Sequence, residues 1–107
     1  MQAFTQEIID VLRDLPEGKV SSYGRLAKQA GHPRAARQVV RVLHTYGEKE
    51  NLPWWRVVNA AGHIVLPPGN GFEEQTDRLD AEGIRVSPHG KIDLQRYLWK
   101  PDGMDEL

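Results

Sequence analysis

The fold is decided by one stretch, SSYGRLAKQAGHPRAARQVVRVLHTY, which spans residues 21–46. A serine before Tyr23 can cap a short helix from Tyr23 to Ala30, and Gly31 offers a left-handed stop. His32 and Pro33 then restart the chain, with proline at the first position of a longer helix from Arg34 to Tyr46. A short helix, a glycine turn and a longer helix together predict a helix-turn-helix.

The longer helix has two chemically different faces. At about 100° per residue, an arc of roughly 120° carries only basic and polar side chains. These residues, called the basic face below, are Arg34, Arg37, Gln38, Arg41 and His44. The residues predicted to enter the core lie opposite and are Ala36, Val39, Val40, Leu43 and Tyr46. Solvent-facing helices usually mix acids with bases to form i,i+4 pairs. An acid-free face instead favours contact with DNA.

Charge is segregated along the chain, although the net charge is only -1. The segment 18–47 contains no Asp or Glu and therefore carries +6. Its basic residues are Lys19, Arg25, Lys28, Arg34, Arg37 and Arg41. The remainder carries -7, which includes the acidic tail Asp102, Asp105 and Glu106. A net charge close to zero thus conceals a basic segment that can bind nucleic acid.

Length and composition narrow the class of protein. A chain of 107 residues fits one domain, residues 1–107. The absence of cysteine excludes disulfides, thiolate metal sites and a cysteine nucleophile. The four histidines show no metal-ligand spacing, so we expect neither metal nor cofactor. No apolar span or secretion signal is visible, which predicts a cytoplasmic, nucleoid-associated protein without a membrane partner.

The rest of the chain predicts a scaffold around this unit. Phe4, Ile8, Val11, Leu12 and Leu15 recur at helical spacing and predict a first helix from about Thr5 to Leu15. The next predicted elements are a β-hairpin wing, formed by Arg56–Val58 and His63–Val65, and a loop over Leu66–Gly71. They are followed by a predicted helix over Phe72–Glu82 that ends at Gly83, a strand over Ile84–Val86 and one or two helical turns over Leu94–Trp99. The fold class is therefore α+β, mainly helical, of the winged helix-turn-helix type.

Two adjacent tryptophans, Trp54 and Trp55, precede the first predicted strand of the wing. Adjacent residues of an extended chain point in opposite directions, so both indoles cannot enter the same core. One of them is free to line a pocket or a base-stacking surface.

Three blocks carry a family resemblance: Ser22–Gly24, Ala35–Arg37 and Pro53–Val58. Together they resemble the signature blocks of the O6-alkylguanine-DNA alkyltransferase family, and the resemblance extends from about Phe4 to Val86. The third block of active transferases reads Pro-Cys-His-Arg-Val. Its cysteine accepts the alkyl group, and its histidine, oriented by a glutamate, activates that cysteine.

Trp54 stands at the position of the cysteine, and Trp55 stands at that of the histidine. Such a tryptophan is typical of the alkyltransferase-like branch. The resemblance implies a monomer that binds O6-alkylguanine through the minor groove of duplex DNA. It also implies that the protein flips the nucleotide without removing the alkyl group, and marks it for nucleotide excision repair proteins. On this reading the chain is not an enzyme and has no catalytic residues.

The resemblance also implies roles for individual residues. Tyr23 presses on the phosphate beside the lesion, and Arg37 fills the vacancy left in the base stack. The implied DNA-contact residues are Tyr23, Arg34, Ala35, Ala36, Arg37 and Arg41. The implied lesion pocket consists of Tyr23, Trp54, Val57, Leu66, Pro67 and Pro68. Glu82 matches the orienting glutamate, and is either a structural remnant or simply a residue at the end of a helix.

Three other classes of protein compete with this interpretation. A winged-helix transcription regulator uses a similar basic helix, but reads a defined DNA site, generally as a dimer. No additional dimerisation helix is evident. An enzyme needs a catalytic constellation, and none is visible. A protein-interaction module could use the tryptophan pair as a hot spot.

Overall fold

The computed structural model describes residues 2–101, so the acidic tail residues Asp102, Asp105 and Glu106 lie outside the described part. Its elements are, in chain order, α1 (Ala3–Asp14), β1 (Ser21–Ser22), α2 (Tyr23–Gln29), α3 (Ala36–Tyr46), a 3-10 helix (Trp54–Arg56), β2 (Val57–Val58), α4 (Phe72–Ala81) and α5 (Leu94–Tyr97). The predicted mainly helical α+β class is confirmed. Within residues 2–101, no helix is long and apolar enough to cross a membrane.

The turn between α2 and α3 confirms most of the helix-turn-helix prediction. Ser22 Oγ accepts a hydrogen bond from the Arg25 amide at 3.3 Å and so caps α2. Gly31 follows α2 with φ of 88°, a left-handed value that glycine adopts at little cost. The predicted start of the longer helix at Arg34 is wrong. The Ala35 amide donates to the His32 carbonyl in a tight turn, so helical geometry begins only at Ala36.

The prediction for the apolar side of α3 is partly wrong. Val39 and Val42 are buried, whereas Val40 is 46% exposed. Ala36, Leu43 and Tyr46 are half-buried. Ala35, Val39 and Val42 lie one turn apart and form the line that packs against α1 and α2, so Val40 faces outward. The five residues of the basic face are all exposed, as predicted.

A short parallel sheet lies between two hydrophobic clusters. Ser21 pairs with Val57, and Ser22 pairs with Val58. Val57 belongs to the first core cluster, which is formed with α1, α2 and α3. Val58 belongs to the second core cluster, which is formed with α4 and the C-terminal segment. Because adjacent strand residues face opposite sides, β2 joins the two halves of the core.

The predicted β-hairpin is wrong. β2 pairs with β1, not with His63–Val65, and His63 forms a bridge with Lys91. The Asn59 side chain accepts hydrogen bonds from the Ala61 and His63 amides, and this turn redirects the chain toward the C-terminal segment. The wing is therefore a turn followed by a loop.

Predictions for the later elements are closer to the structure. The helix predicted over 72–82 is α4, which ends at Ala81, and Gly83 follows with φ of 81°. The strand predicted over 84–86 is reduced to one bridge, between Val86 and Ile92. The predicted C-terminal helical turns are α5, which is four residues long.

Candidate nucleic-acid interface

The arginines of the basic face have no acidic partner in the part of the chain that the structure describes. Within residues 2–101, none of the ion pairs includes Arg34, Arg37 or Arg41. All three side chains are exposed, and Arg34 lies in the turn just before α3. Unpaired guanidinium groups on one surface can each neutralise a phosphate, because binding then displaces only counterions and water.

The two alanines implied as DNA contacts have different environments. Ala35 is only 8% exposed and belongs to the first core cluster, so its small side chain serves helix packing. Its assignment as a DNA contact stays a prediction. Ala36 is half-buried at the first position of α3, where a small side chain allows close approach of a ligand to the helix.

Tyr23 shares a cavity with one residue of the basic face, His44. It begins α2, packs against the first core cluster and lines the cavity described below. Burial raises the pKa of the Tyr23 phenol above its ordinary value, because the phenolate would lose solvation. The hydroxyl therefore stays protonated at neutral pH and can donate a hydrogen bond to an anion or a base.

An open cavity of about 880 Å³ lies between α2, α3, the 3-10 helix and α4, and is called the Trp54 cavity below. It brings together four of the predicted pocket residues: Tyr23, Trp54, Val57 and Leu66. Pro67 and Pro68 are exposed and lie outside the lining of this cavity, and their place in the lesion pocket stays a prediction.

A turn in the loop explains why the two prolines are displaced from the cavity. The Asn70 and Phe72 amides both donate to the Pro67 carbonyl, which folds the chain back on itself. Leu66 then packs over Gly71, where a Cβ would lie 2.7 Å from Leu66 Cδ1. Gly71 also has φ of 112°, a conformation that favours glycine.

Sequence reasoning missed much of the cavity lining. The missed residues include Val40, Leu43, His44, Glu48, Lys49, Asn70, Glu74 and Gln75. For Val40, the sequence offered one signal of a surface position: this apolar residue lies beside the basic residues of α3. Glu74 and Gln75 carry no local signal, because tertiary packing brings α4 against the tryptophans from about twenty residues away.

The two tryptophans diverge within the 3-10 helix, and not along a strand. Their ring centroids are 6.0 Å apart, and the ring planes meet at 90°, an edge-to-face contact. Trp54 lines the cavity, whereas Trp55 packs against the second core cluster. The Arg78 guanidinium lies 4.7 Å from the Trp55 ring and 5.6 Å from the Trp54 ring, within cation–π range of both.

Glu82 accepts hydrogen bonds from three residues in two parts of the chain. Its carboxylate accepts from Trp55 Nε1 at 2.8 Å and from the Gly18 amide at 2.9 Å. The Arg56 guanidinium donates to both carboxylate oxygens, with the shortest contact at 2.7 Å, and also to the Leu15 carbonyl. Glu82 thus links the turn after α1 to the 3-10 helix. These contacts support the first of its two predicted roles, that of a structural remnant.

The Glu82 carboxyl stays ionised at neutral pH. Burial alone would raise its pKa, but hydrogen bonds from Arg56, Gly18 and Trp55, together with the Arg56 charge, outweigh that effect and lower it. The side chains of Arg56 and Glu82 are 14% and 10% exposed, so water screens this ion pair little.

Residues 2–101 contain no candidate metal site, because no group of three His, Asp or Glu side chains there is close enough to hold a metal ion.

Comparisons with known proteins agree on one family. Residues 3–84 match the family model described as 6-O-methylguanine DNA methyltransferase, DNA binding domain. A DNA base-flipping protein of Vibrio parahaemolyticus is 46% identical over 101 residues, which cover 94% of this chain and 100% of that protein. Alkyltransferase-like protein 1 of Schizosaccharomyces pombe is 35% identical over 106 residues, covering 94% and 98% respectively.

Solved structures of related proteins indicate the same family. The crystal structure of S. pombe Atl1 in complex with damaged DNA containing O6-carboxymethylguanine superposes with a TM-score of 0.83 and 36% identity. The match covers 94% of this chain and 98% of that one. Mycobacterium tuberculosis OGT in complex with DNA matches with a TM-score of 0.63 and 29% identity, over 77% of this chain and 50% of that one.

Proposed function

This chain belongs to the 6-O-methylguanine DNA methyltransferase family of DNA-binding domains, and we propose that it binds O6-alkylguanine in duplex DNA and flips the damaged nucleotide into the Trp54 cavity. The observation that carries this proposal is that one helix serves two surfaces: α3 presents a row of exposed arginines, and through Val40, Leu43 and His44 it also lines the cavity that contains Tyr23 and Trp54. The relatives named DNA base-flipping protein, and the Atl1 complex with damaged DNA, support the same function.

The basic face supplies binding energy that does not depend on sequence. Arg34 and Arg41 contact phosphates, and the small Ala36 lets α3 approach the minor groove closely. Arg37 enters the base stack in place of the extruded nucleotide. Its side chain is exposed and has no ion-pair partner among residues 2–101, which supports this role, since no ion pair within that part of the chain has to break before it inserts.

Flipping needs a push on the backbone and a receiving surface for the base. Tyr23, which lines the cavity, supplies a neutral hydroxyl, and Trp54 supplies an aromatic wall for the extruded purine. Unstacking costs a few kcal/mol and is easiest at a weakly paired base, so part of the lesion preference arises before the cavity is reached.

We propose that the alkyl group stays on the DNA. The sequence has no cysteine, and residue 54 is tryptophan, which offers no nucleophile for alkyl transfer. Trp55 Nε1 is a hydrogen-bond donor only, and already donates to Glu82, so it cannot accept a proton as a base would. A lesion that is bound but not repaired calls for a later step, and we propose that nucleotide excision repair proteins recognise this complex.

The test compares two duplexes that differ by one O6-methyl group, titrated with the protein at fixed salt. We expect tighter binding to the methylated duplex, and mass spectrometry of the recovered DNA and protein should find the methyl group still on guanine. Equal affinity for the two duplexes would favour a transcription regulator or an interaction module. A methylated protein would contradict the non-catalytic part.

A further inference from the structure

One buried amide on α4 touches the wall of the Trp54 cavity. Gln75 is only 2% exposed and lines the cavity beside Trp54 and Val57. A buried amide without hydrogen bonds is costly, so a glutamine in this position needs specific partners. Its Nε2 atom donates to the Trp55 carbonyl at 3.1 Å and to the Val57 carbonyl at 3.0 Å.

These two hydrogen bonds fix the orientation of the amide. A carbonyl oxygen can only accept, so both partners require the nitrogen of Gln75, and both of its hydrogens are used. The two carbonyls belong to residues on either side of Arg56. The amide therefore spans the junction between the 3-10 helix and β2, the segment that carries the aromatic and aliphatic walls of the cavity.

Gln75 also supports β2. Within residues 2–101 the sheet contains only two strands, so no third strand pairs with β2. A two-residue strand is weakly held by its own ladder. The Gln75 amide adds one hydrogen bond to β2, at the Val57 carbonyl, and one to the 3-10 helix, at the Trp55 carbonyl, and so attaches this segment to α4.

The same residue connects this wall to the loop over Leu66–Gly71, which also lines the cavity. The Gln75 backbone amide donates to the Gly71 carbonyl in the first turn of α4, and Gly71 packs against Leu66. A displacement of Gln75 would therefore change the position of Val57 relative to Leu66, and with it the width of the cavity.

We propose that Gln75 is a positioning residue for lesion recognition: it sets the spacing of the Trp54–Val57 wall, and so determines how strongly the protein prefers alkylated over normal guanine. The inference rests on the proposed function. Loss of the amide loosens the wall by a fraction of an ångström, which weakens the fit of a flipped base, whereas the basic face still binds duplex DNA.

The main test replaces Gln75 with an apolar residue of similar length, Gln75→Met, and uses Asp77→Asn, on the exposed side of α4, as the matched control. Each variant is titrated with duplexes containing O6-methylguanine or guanine, and its thermal unfolding is measured. We expect the ratio of the two affinities to fall about tenfold in Gln75→Met, the effect of losing a net hydrogen bond or two. Binding to the guanine duplex should change less than twofold.

The outcomes separate this inference from simpler explanations. A merely structural role would lower the melting temperature and reduce both affinities by the same factor, which would overturn the proposal. An unchanged affinity ratio in folded Gln75→Met would also overturn it. A wild-type protein without lesion preference would instead refute the proposed function itself, before any variant is considered.

A measurement on the unmodified protein covers the case in which Gln75→Met does not fold. In nuclear magnetic resonance spectra, the Gln75 side-chain NH2 should exchange slowly with solvent in the free protein. Its resonances should shift on binding the O6-methylguanine duplex and much less on binding the guanine duplex. Rapid exchange, or equal shifts with both duplexes, would contradict a positioning role.

Discussion

Replacement of Glu82 by glutamine should destabilise the protein far more than the loss of an ordinary ion pair. Gln keeps the shape of Glu82 but removes its charge, and its NH2 group cannot accept from the donors that now converge there. Removal of one partner of a buried pair costs about 3–5 kcal/mol. At about 4–8 °C per kcal/mol for a domain of this size, a loss of about 3 kcal/mol lowers the melting temperature by roughly 12–24 °C.

Glu74→Gln is the matched control. Glu74 pairs with Arg78 one turn away on α4, and the two side chains are 54% and 46% exposed. Such an exposed i,i+4 pair contributes only about 0.3–0.5 kcal/mol. Thermal or urea unfolding of both variants therefore compares the same chemical change in a buried and an exposed setting.

The pH dependence gives a second test of Glu82. Its pKa is lowered in the folded protein from an ordinary value of 4.5, so the unfolded chain binds the proton more readily. The stabilisation by Glu82 is then present above pH 4.5 and is lost as the pH falls through the lower folded pKa. The gap between wild type and Glu82→Gln should narrow in acid. An equal cost for Glu82→Gln and Glu74→Gln at neutral pH would refute the reasoning.

Three further predictions concern the cavity and the basic face. Gly71→Ala should push Leu66 out of place and weaken lesion binding more than guanine-duplex binding, which titration of both duplexes would detect; equal weakening would show that Leu66 does not shape the cavity. Arg34→Ala should reduce the slope of log affinity against log salt by about one unit, whereas an unchanged slope would remove Arg34 from the interface. Trp54→Cys should transfer alkyl groups very slowly or undetectably, and adding Trp55→His should speed transfer by supplying a base. Mass spectrometry of the folded variants would count alkylated protein, and equal rates would show that residue 55 does not occupy a catalytic geometry.

The helix-turn-helix could be predicted from sequence because its signals are local. A serine cap, a left-handed glycine and an acid-free helix face each occupy a few consecutive residues, and each has one physical meaning. The Ser22 side chain caps α2 and the Gly31 backbone is left-handed, as those signals predict. The resemblance blocks also placed Tyr23 in a pocket with Trp54, and both residues line the Trp54 cavity.

The wing and much of the cavity could not be predicted in this way. The residues flanking Asn59 alternate like a hairpin, but the partner of β2 is Ser21–Ser22, more than thirty residues earlier. Strand pairing at that distance is decided by packing and not by turn sequence. Gln75 is a similar case. A glutamine on an amphipathic helix is ordinarily predicted to lie at the surface, and only the tertiary contact with β2 shows why it is buried.

Extrusion of the damaged base into the Trp54 cavity is the central claim, and the fluorescence of a cytosine analogue placed opposite the lesion tests it most directly. An analogue of this kind brightens when its partner base leaves the stack. Wild-type protein should raise the emission of the O6-methylguanine duplex and leave that of the guanine duplex nearly unchanged, and Tyr23→Ala or Arg37→Ala should reduce the rise more than they reduce binding. Saturated binding to the O6-methylguanine duplex with no change in emission would contradict the account.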